Sequence, residues 1–402
     1  MSSVMNDIAR QAFAWVESVA SPVEGGLGWQ EDGQIVDFLY SGSAGILLGC
    51  AEATAAGLTG LDTLAQGALD RLTFLVRCAP SSPTMEDDGL FTGWAGAVVA
   101  LRAWAAVTGD VDARSAAAEL SGQVADRIRR RTADPGRYTD IVAGDAGMLL
   151  ALLPDDATAD VCSTLADDLA ALAEDRPDGL HWRMQAEWEW LMPGFSHGTA
   201  GAAYALAAAG KTLCRTDLID IAVRAGEGLV ALGDQPQGWA LPLSIPPRPD
   251  RPSVNFGWCH GPAGTIRLFL LLDEIAPRPR WRTAADACLQ ALRDSRLPER
   301  LYPGYWDNVA RCCGTAGVGQ LLLDRYRATG DPSMLAWSSS LAEDVIARRI
   351  PVPAGLAWSN TEHTATPPEL PPHPGFMQGA AGIAGWLARL AAPETTPVVP
   401  WI

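Results

Sequence analysis

Residues 310–323 read ARCCGTAGVGQLLL: two adjacent cysteines, a glycine, two residues, a second glycine and a mostly apolar run. The pattern of glycine, two residues, glycine and apolar run occurs seven times along the 402 residues. The leading glycines lie 51 to 65 residues apart and are Gly42, Gly93, Gly144, Gly198, Gly261, Gly314 and Gly379. A pattern that recurs at such intervals indicates one repeating architecture rather than several unrelated domains.

Each interval between motifs holds two helical patterns of different character. The run after each motif is small and apolar on nearly all sides, as expected of a buried helix. The second pattern, for example LDTLAQGALDRLTFLV from Leu61, spaces apolar residues three and four apart, as on a helix with one exposed face. The sequence therefore predicts an all-α array of seven helix pairs, either an open solenoid or a closed ring.

The two ends of the chain favour the closed ring. The first 19 residues, MSSVMNDIARQAFAWVESV, form an amphipathic helical pattern, and the last motif continues as GWLARLAAP. Both carry apolar faces, and neither end shows the polar capping repeat that an open solenoid needs. We therefore predict a single α/α-toroid (α/α-barrel) domain over residues 1–402, with an inner and an outer ring of helices. Short pieces such as GLHWR from Gly179 are predicted to be brief extended segments or loops.

Composition restricts the classes of partner and the compartment. The net charge of −17 argues against nucleic acid, since phosphate binding needs a positive surface. No apolar run reaches 18 residues, which argues against a membrane span. The N-terminus has early acidic residues and no signal-peptide pattern, so we expect a cytoplasmic protein with reduced cysteines. Five of the eight cysteines lie in helical, Ala/Leu-rich surroundings and are expected to be small buried hydrophobes: Cys50, Cys78, Cys162, Cys214 and Cys288.

The other three cysteines stand one or two residues before repeat glycines. Cys259 stands before the fifth motif, and Cys312 and Cys313 before the sixth. If equivalent turns cluster at one end of a toroid, these thiols converge there. Three thiolates are a common ligand set for Zn²⁺, and a fourth position left open is typical of a catalytic site. A disulfide between adjacent cysteines is disfavoured by geometry and by a reducing compartment. The residues leave open whether Cys313 ligates or only Cys312 does.

Candidate acid–base residues occupy neighbouring turns. His197 directly precedes the fourth leading glycine, His260 follows Cys259, and Asp140 lies four residues before Gly144. Imidazole titrates near neutrality, so either histidine can serve as a proton donor. Asp140 can orient one of them, or it can simply cap its helix.

Three of the motifs together resemble those of the lanthionine cyclase (LanC-like) family: SHGTAG from Ser196, WCHGPAG from Trp258 and RCCGTAG from Arg311. The similarity covers essentially the whole chain. It implies an α/α-toroid with zinc at its mouth. It also implies the addition of peptide cysteine thiols to dehydroalanine or dehydrobutyrine, which makes lanthionine or methyllanthionine rings.

The resemblance also implies roles for individual residues. Cys259 and Cys312 match zinc ligands, and Cys313 stands where many members have histidine, which indicates the three-cysteine subgroup. His197 and Asp140 match residues of the family's active site.

Two positions differ among members or depart from the family pattern. His260 follows the first ligand, where some members have an aromatic residue. Asn255 stands four residues before Cys259, where some members have arginine, so a role for that position is in doubt.

The implied substrate is a dehydrated precursor peptide. Seven repeats leave no length for a dehydrating domain, so we expect a separate dehydratase or kinase–lyase partner. Alternatives are a non-catalytic, zinc-containing scaffold that binds peptides, a redox sensor using Cys312 and Cys313, and addition of a small thiol such as glutathione. Protein prenyltransfer needs a basic pocket, and only Arg311 is near these turns. A toroidal glycosidase needs a second carboxylate, and Asp140 has no evident partner.

Overall fold

The computed structural model describes residues 2–78, 85, 87–131, 136–235, 238–249, 254–299, 308–360 and 370–401. Within them fourteen α-helices follow one another: α1 (Ser2–Ser18), α2 (Ser43–Ala55), α3 (Asp62–Cys78), α4 (Trp94–Thr108), α5 (Val111–Arg130), α6 (Asp145–Leu152), α7 (Ala159–Ala171), α8 (Thr199–Thr212), α9 (Thr216–Gly233), α10 (Pro262–Ile275), α11 (Pro279–Asp294), α12 (Thr315–Thr329), α13 (Pro332–Ala347) and α14 (Ala380–Ala391). The even-numbered helices each begin at a glycine motif and are called motif helices. The odd-numbered ones are called partner helices.

The two classes of helix are buried as the sequence predicts. Motif helix α2 is buried at every position from Ser43 to Ala53. Partner helix α11 buries a single stripe three and four residues apart, consisting of Trp281, Ala284, Ala285, Cys288, Ala291 and Leu292. The core therefore consists of the motif helices, with the partner helices covering them by one face each.

Contacts divide the chain into two compact units. The first contains Met1–Glu86, Thr92–Leu120 and Leu297–Ile402, and the second contains Asp87–Phe91 and Ser121–Arg296. In the first unit α2 packs against α4 and α14, and α12 against α13 and α14. In the second unit α8 packs against both α6 and α10, and each of these three packs against its own partner helix, α7, α9 or α11.

The two chain ends meet within the first unit. Helix α1 packs along α14, and its Phe13 and Val16 are buried there. Helix α14 is itself buried from Ala380 to Leu390. The first helix of the chain is therefore the partner of the last motif helix, which confirms that the apolar faces of the two ends need covering.

Short antiparallel hairpins follow several partner helices. They comprise β1 (Ser21–Val23), β2 (Gly26–Glu31) and β3 (Gln34–Val36) in one sheet, and the pairs β4 (Glu174–Arg176) with β5 (Gly179–His181), β6 (Asp234–Gln235) with β7 (Gly238–Trp239), and β8 (Ile350–Val352) with β9 (Gly355–Ala357). The extended piece predicted from Gly179 is confirmed as β5, and pieces that likewise begin with glycine form β7 and β9. Tryptophan indoles anchor three of these hairpins. Each indole N–H donates a hydrogen bond to a carbonyl 13 residues earlier, in the preceding partner helix: Trp29 to Val16, Trp182 to Leu169 and Trp358 to Val345.

Two of the expected buried cysteines are exposed. Cys50, Cys162 and Cys288 are buried as expected, whereas Cys78 and Cys214 face solvent. Cys78 is the last residue of α3, and Cys214 follows α8 with a φ of 54°. Residues at helix ends leave the buried stripe, and helical periodicity alone does not locate the end. Separately, no helix in the described ranges is both long and apolar enough to cross a membrane.

Candidate metal centre and acid–base site

Main-chain hydrogen bonds in the first unit connect successive turns before the motif helices. The N–H of Cys312, two residues before Gly314, donates to the carbonyl of Met377 (2.9 Å). Met377 is two residues before its own leading glycine, and its N–H donates to the carbonyl of Tyr40 (2.9 Å). Tyr40 again precedes its glycine by two. The sixth, seventh and first turns therefore lie side by side at one repeat position.

The second unit uses the same bonding at the same position. The N–H of Phe91 donates to the carbonyl of Val142 (2.8 Å), and the N–H of Ser196 donates to the carbonyl of Cys259 (2.7 Å). These residues also stand two before their leading glycines. In each unit, therefore, the turns joined by these bonds lie side by side at the same repeat position.

Four of these turns contain a side-chain hydrogen-bond acceptor that was not predicted from the sequence. Six residues before the leading glycine, an Asp, Asn or His side chain accepts from the backbone N–H two residues later, as in an Asx turn. The four are Asp87 (2.6 Å), Asn255 (2.6 Å), Asn308 (2.8 Å) and His373 (2.9 Å). Asn255, which departs from the family pattern, thus has a turn-forming role matching that of Asn308. Comparing the seven motifs six residues upstream would have revealed it.

The leading glycines are required by close approach of backbone. A Cβ at Gly198 would lie 1.5 Å from the carbonyl oxygen of Met192, and one at Gly314 would lie 2.2 Å from that of Asn308. Their φ angles of −161° and −123° are open to any residue. At these two positions, therefore, space rather than backbone conformation selects glycine where the motif helix begins.

The three turn cysteines form one cluster. The Sγ atoms of Cys259, Cys312 and Cys313 all lie within 4.8 Å of one another. Those of Cys312 and Cys313 are 3.5 Å apart and are not joined in a disulfide. All three residues are buried, with 2%, 6% and 7% of their surface exposed. The cluster can therefore bind a metal.

The cluster suits zinc by donor type and by spacing. Zinc–sulfur bonds of about 2.3 Å in a tetrahedral site place sulfurs roughly 3.8 Å apart. The distances between these thiols, from 3.5 Å up to the 4.8 Å limit, bracket that value. Soft thiolates also favour zinc over oxygen-preferring ions such as Mg²⁺ or Ca²⁺.

Asp140 and His197 form a directly bonded pair. Nδ1 of His197 lies 2.6 Å from Oδ2 of Asp140, and Oδ1 of Asp140 accepts from the N–H of Ala143 (2.9 Å). Asp140 is 1% exposed, whereas the His197 side chain is 31% exposed. A buried carboxylate fixed by the backbone therefore orients an imidazole whose other side reaches solvent. Asp140 thus both caps its turn and orients His197.

His260 lies next to this pair. The rings of His197 and His260 have their centroids 5.6 Å apart, inclined by 33°. Asp140, His197 and His260 all belong to the second unit. The structure therefore brings together the three predicted acid–base residues, and Cys259 adjoins His260 in sequence.

Tyr40 and Gln378 contact the thiols, which sequence reasoning did not foresee. Nε2 of Gln378 donates to Sγ of Cys313 (3.6 Å) and to the hydroxyl of Tyr40 (3.2 Å). Burial raises the pKa of Tyr40 well above its usual value, and the nearby Cys312 and Cys313, with a hydrogen bond to Cys312, raise it further. The only signal in the sequence is position: Tyr40 stands two residues, and Gln378 one residue, before a leading glycine.

Arg311 does not offer a positive charge to a ligand. Its guanidinium pairs with Glu52 of α2 through two hydrogen bonds (3.1 and 2.5 Å) and donates to the carbonyl of Gly382 (2.9 Å). It also lies over the ring of Phe376, 4.4 Å from its centroid. Both charged side chains are almost fully buried. The one basic residue considered for a diphosphate pocket is thus engaged in structural contacts.

Comparison with known proteins places these features in a family. The profile of the family described as "Lanthionine synthetase C-like protein" matches residues 36–402. A search of curated protein sequences finds no match.

Solved structures show which fold the chain adopts. It is similar to nisin cyclase, with a TM-score of 0.65 and 15% identity over 98% of both chains. It is also similar to a D-mannose isomerase (TM-score 0.54, 11% identity, 98% of both chains). An inactive α-1,6-mannanase variant of Salegentibacter sp. HEL1_6 gives a TM-score of 0.54 and 12% identity, covering 98% of this chain and 99% of that one. At these identities the likeness shows the fold alone, which is the predicted α/α-toroid of seven helix pairs.

The family profile and the cysteine cluster both indicate the lanthionine synthetase C-like family. The profile spans all seven glycine motifs, and the cluster contains a cysteine at all three positions that the resemblance assigns to zinc ligands. The chain belongs to the lanthionine synthetase C-like family, in its three-cysteine subgroup.

Proposed function

We propose that this protein is a zinc-dependent cyclase acting on a ribosomally made peptide. It adds a cysteine thiol of that peptide to a dehydroalanine or dehydrobutyrine, forming a lanthionine or methyllanthionine ring. The single observation that carries the proposal is the cluster of Cys259, Cys312 and Cys313 within 4.8 Å, in a chain of the lanthionine synthetase C-like family. Similarity to a protein named nisin cyclase supports it.

Cys259, Cys312 and Cys313 are the residues that would hold the zinc ion. When bound, zinc would lower the pKa of a substrate thiol and hold the resulting thiolate. Three protein ligands leave one position of a four-coordinate site for the substrate. The three cysteines are buried, and main-chain hydrogen bonds to neighbouring turns hold Cys259 and Cys312.

His197 is the proposed proton donor. Ring closure makes a C–S bond at the β-carbon, removes the thiol proton and adds one proton to the α-carbon, so the peptide is isomerised without loss of atoms. Because Asp140 bonds to Nδ1, we assign the transferred proton to Nε2 of His197. This hydrogen bond favours His197 as the donor, with His260 in a supporting role beside it.

We further propose the context in which the reaction takes place. The family profile extends through parts of both compact units, which supports residues 1–402 acting as one cyclase domain. The substrate would be a precursor peptide dehydrated by a separate enzyme. The eight free cysteines fit a reducing compartment such as the cytoplasm.

The test is direct cyclisation of a defined peptide. The zinc-loaded protein is incubated with a synthetic peptide that contains one dehydroalanine and one cysteine. Cyclisation leaves the mass unchanged, so free thiol is counted by alkylation with N-ethylmaleimide and mass spectrometry. We expect the fraction of alkylated peptide to fall with time.

The matched control is the double variant Cys312→Ala, Cys313→Ala. We expect the peptide thiol to disappear with this variant no faster than it does without protein. Equal loss of thiol with this variant and with the unaltered protein would contradict the proposed mechanism. Loss of thiol only when glutathione is supplied, with a glutathione adduct in the mass spectrum, would indicate the small-thiol alternative.

A further inference from the structure

The side-chain amide of Gln378 has a defined orientation. Ala310 N–H, which can only donate, bonds to Oδ1 of Asn308 (2.8 Å). The other amide atom of Asn308 is therefore Nδ2, and it donates to Oε1 of Gln378 (2.9 Å). Two successive bonds that start from a backbone donor thus settle which end of the Gln378 amide is nitrogen.

The main chain of Gln378 is fixed in the same way. Val309 N–H donates to Oδ1 of Asn360 (3.1 Å), so Nδ2 of Asn360 is the atom that donates to the carbonyl of Gln378 (2.5 Å). Asn308 and Asn360 are both buried. Two buried asparagines therefore hold Gln378 by its side chain and by its backbone.

The Nε2 group of Gln378 is directed at the thiol cluster. It carries two hydrogens and has two acceptors in range, Sγ of Cys313 at 3.6 Å and the hydroxyl of Tyr40 at 3.2 Å. The hydroxyl of Tyr40 thereby accepts one bond and keeps its own hydrogen to donate. Two turns, the seventh and the first, supply these groups to the cysteines of the sixth turn.

We propose that Gln378 is a positioning residue of the metal centre, whose amide holds the Cys313 thiolate and the Tyr40 hydroxyl in one hydrogen-bonded set. This inference rests on the proposed function in one respect, since it takes the cysteine cluster to be the metal centre. It adds a residue outside the cluster of thiols that would hold the metal.

Charge explains why such donors are useful. Three thiolates on Zn²⁺ give a net charge of −1, and a substrate thiolate would make it −2. The cysteines are buried, so water is poorly placed to offset this charge, and nearby N–H and O–H donors must do so. Partners that bond to metal ligands typically contribute about 10- to 100-fold to metal affinity.

The experiment measures metal binding rather than turnover. Gln378→Leu removes the donor while keeping a side chain of similar size. Zinc affinity is measured by competition with a chromogenic chelator, and the thiolate-to-metal charge-transfer band is recorded after loading with Co²⁺. We expect zinc to bind about 10-fold more weakly and the band to shift, while far-UV circular dichroism stays the same.

Ser41→Ala is the matched control. Ser41 stands one residue before its leading glycine, as Gln378 does, but its hydroxyl donates to Glu31 (3.0 Å) and not to a thiol. We expect unchanged zinc affinity and an unchanged charge-transfer band. If Gln378→Leu does not fold, Tyr40→Phe, which removes only the hydroxyl held by Gln378, is expected to shift the band in the same direction.

Each outcome decides between the claims. An unchanged band and affinity in Gln378→Leu, or in Tyr40→Phe where that is the variant that folds, overturns the inference even if the protein forms rings. If zinc affinity and the charge-transfer band change as expected in the variant but the wild-type protein forms no rings, the inference is supported and the proposed function is contradicted. A wild-type protein without a thiolate charge-transfer band overturns both.

Discussion

The bond between His197 and Asp140 is the feature of the site most directly linked to proton transfer. His197→Asn removes the donor, and we expect ring formation to slow by about 10²- to 10⁴-fold, the usual contribution of a general acid. Zinc content should stay the same, since His197 is not among the clustered thiols. Initial rates of thiol loss and elemental analysis test both statements. His260→Asn is the comparison: an effect larger than that of His197→Asn would contradict the assignment of the donor.

The two adjacent cysteines give a second prediction at this scale. If both Sγ atoms ligate, Cys312→Ser and Cys313→Ser should each lower the zinc bound per protein, because serine oxygen is a poor substitute for thiolate. Cys288→Ser, a buried cysteine on a partner helix, is the control and should retain zinc. Zinc retained in Cys313→Ser but lost in Cys312→Ser would show that only the first of the pair ligates.

Single residues were predictable where their chemistry is distinctive. Cysteine, histidine and aspartate stand out next to repeat glycines, and the structure brings Asp140, His197 and His260 together. Tyr40 and Gln378 have no such signature. Their contact joins residues 338 apart and depends on the seventh turn lying beside the first. The departure at Asn255 became interpretable only when its amide was seen to form the turn.

At the scale of elements, the start of each motif helix depends on backbone contact. Gly314→Ala would place a Cβ 2.2 Å from the carbonyl of Asn308, so the turn carrying Cys312 and Cys313 must move. We expect a lower melting temperature and less bound zinc. Gly122→Ala is the control, since that glycine lies exposed within α5 with nothing within 4 Å. It should stabilise the protein by about 0.5–1 kcal/mol. Equal melting temperatures for the two variants would contradict this account of the turn.

The ion pair between Glu52 and Arg311 ties α2 to the turn that begins α12. Glu52→Gln leaves a buried guanidinium without its counter-charge, which typically costs about 3–5 kcal/mol. Urea denaturation measures this loss of unfolding free energy. Glu274→Gln removes an exposed partner of Lys211 and should change it by less than about 1 kcal/mol. Similar losses in both variants would mean that the buried pair does not hold these elements.

Helix type and pairing were predictable from periodicity, because the spacing of apolar residues records which faces are covered. The hairpins were predictable only as extended pieces. The indole bonds that anchor them, such as Trp182 to Leu169, depend on a hairpin folding back onto the end of the preceding helix. The ends of α3 and α8 were also missed, which is why Cys78 and Cys214 were wrongly expected to be buried.

At the scale of the whole molecule, the first helix completes the last repeat. Phe13 of α1 is 1% exposed, in a helix that packs on α14. Phe13→Ala should therefore cost about 3–5 kcal/mol of unfolding free energy, as for a large side chain in a core. Val4→Ala on the same helix, where Val4 is 54% exposed, should change it by less than about 0.5 kcal/mol. A tolerated Phe13→Ala would mean that α1 is not needed to cover α14.

The seven-fold repeat and the all-α class could be predicted because the period is visible in the sequence itself. The division into two compact units could not, since one of its boundaries falls inside a single helix, between Leu120 and Ser121 of α5. The leading glycines place equivalent residues at equivalent turns. The sequence does not show the backbone bonds, such as Met377 to Tyr40, that set the turns side by side.

Zinc X-ray absorption of the purified protein, with and without a cysteine-containing peptide, tests the three-thiolate centre. We expect three sulfur ligands at about 2.3 Å in the protein alone, from Cys259, Cys312 and Cys313. We expect a fourth sulfur when the peptide is added. A spectrum with fewer than three sulfurs, or one that does not change with the peptide, would contradict a three-thiolate centre that binds the substrate thiol.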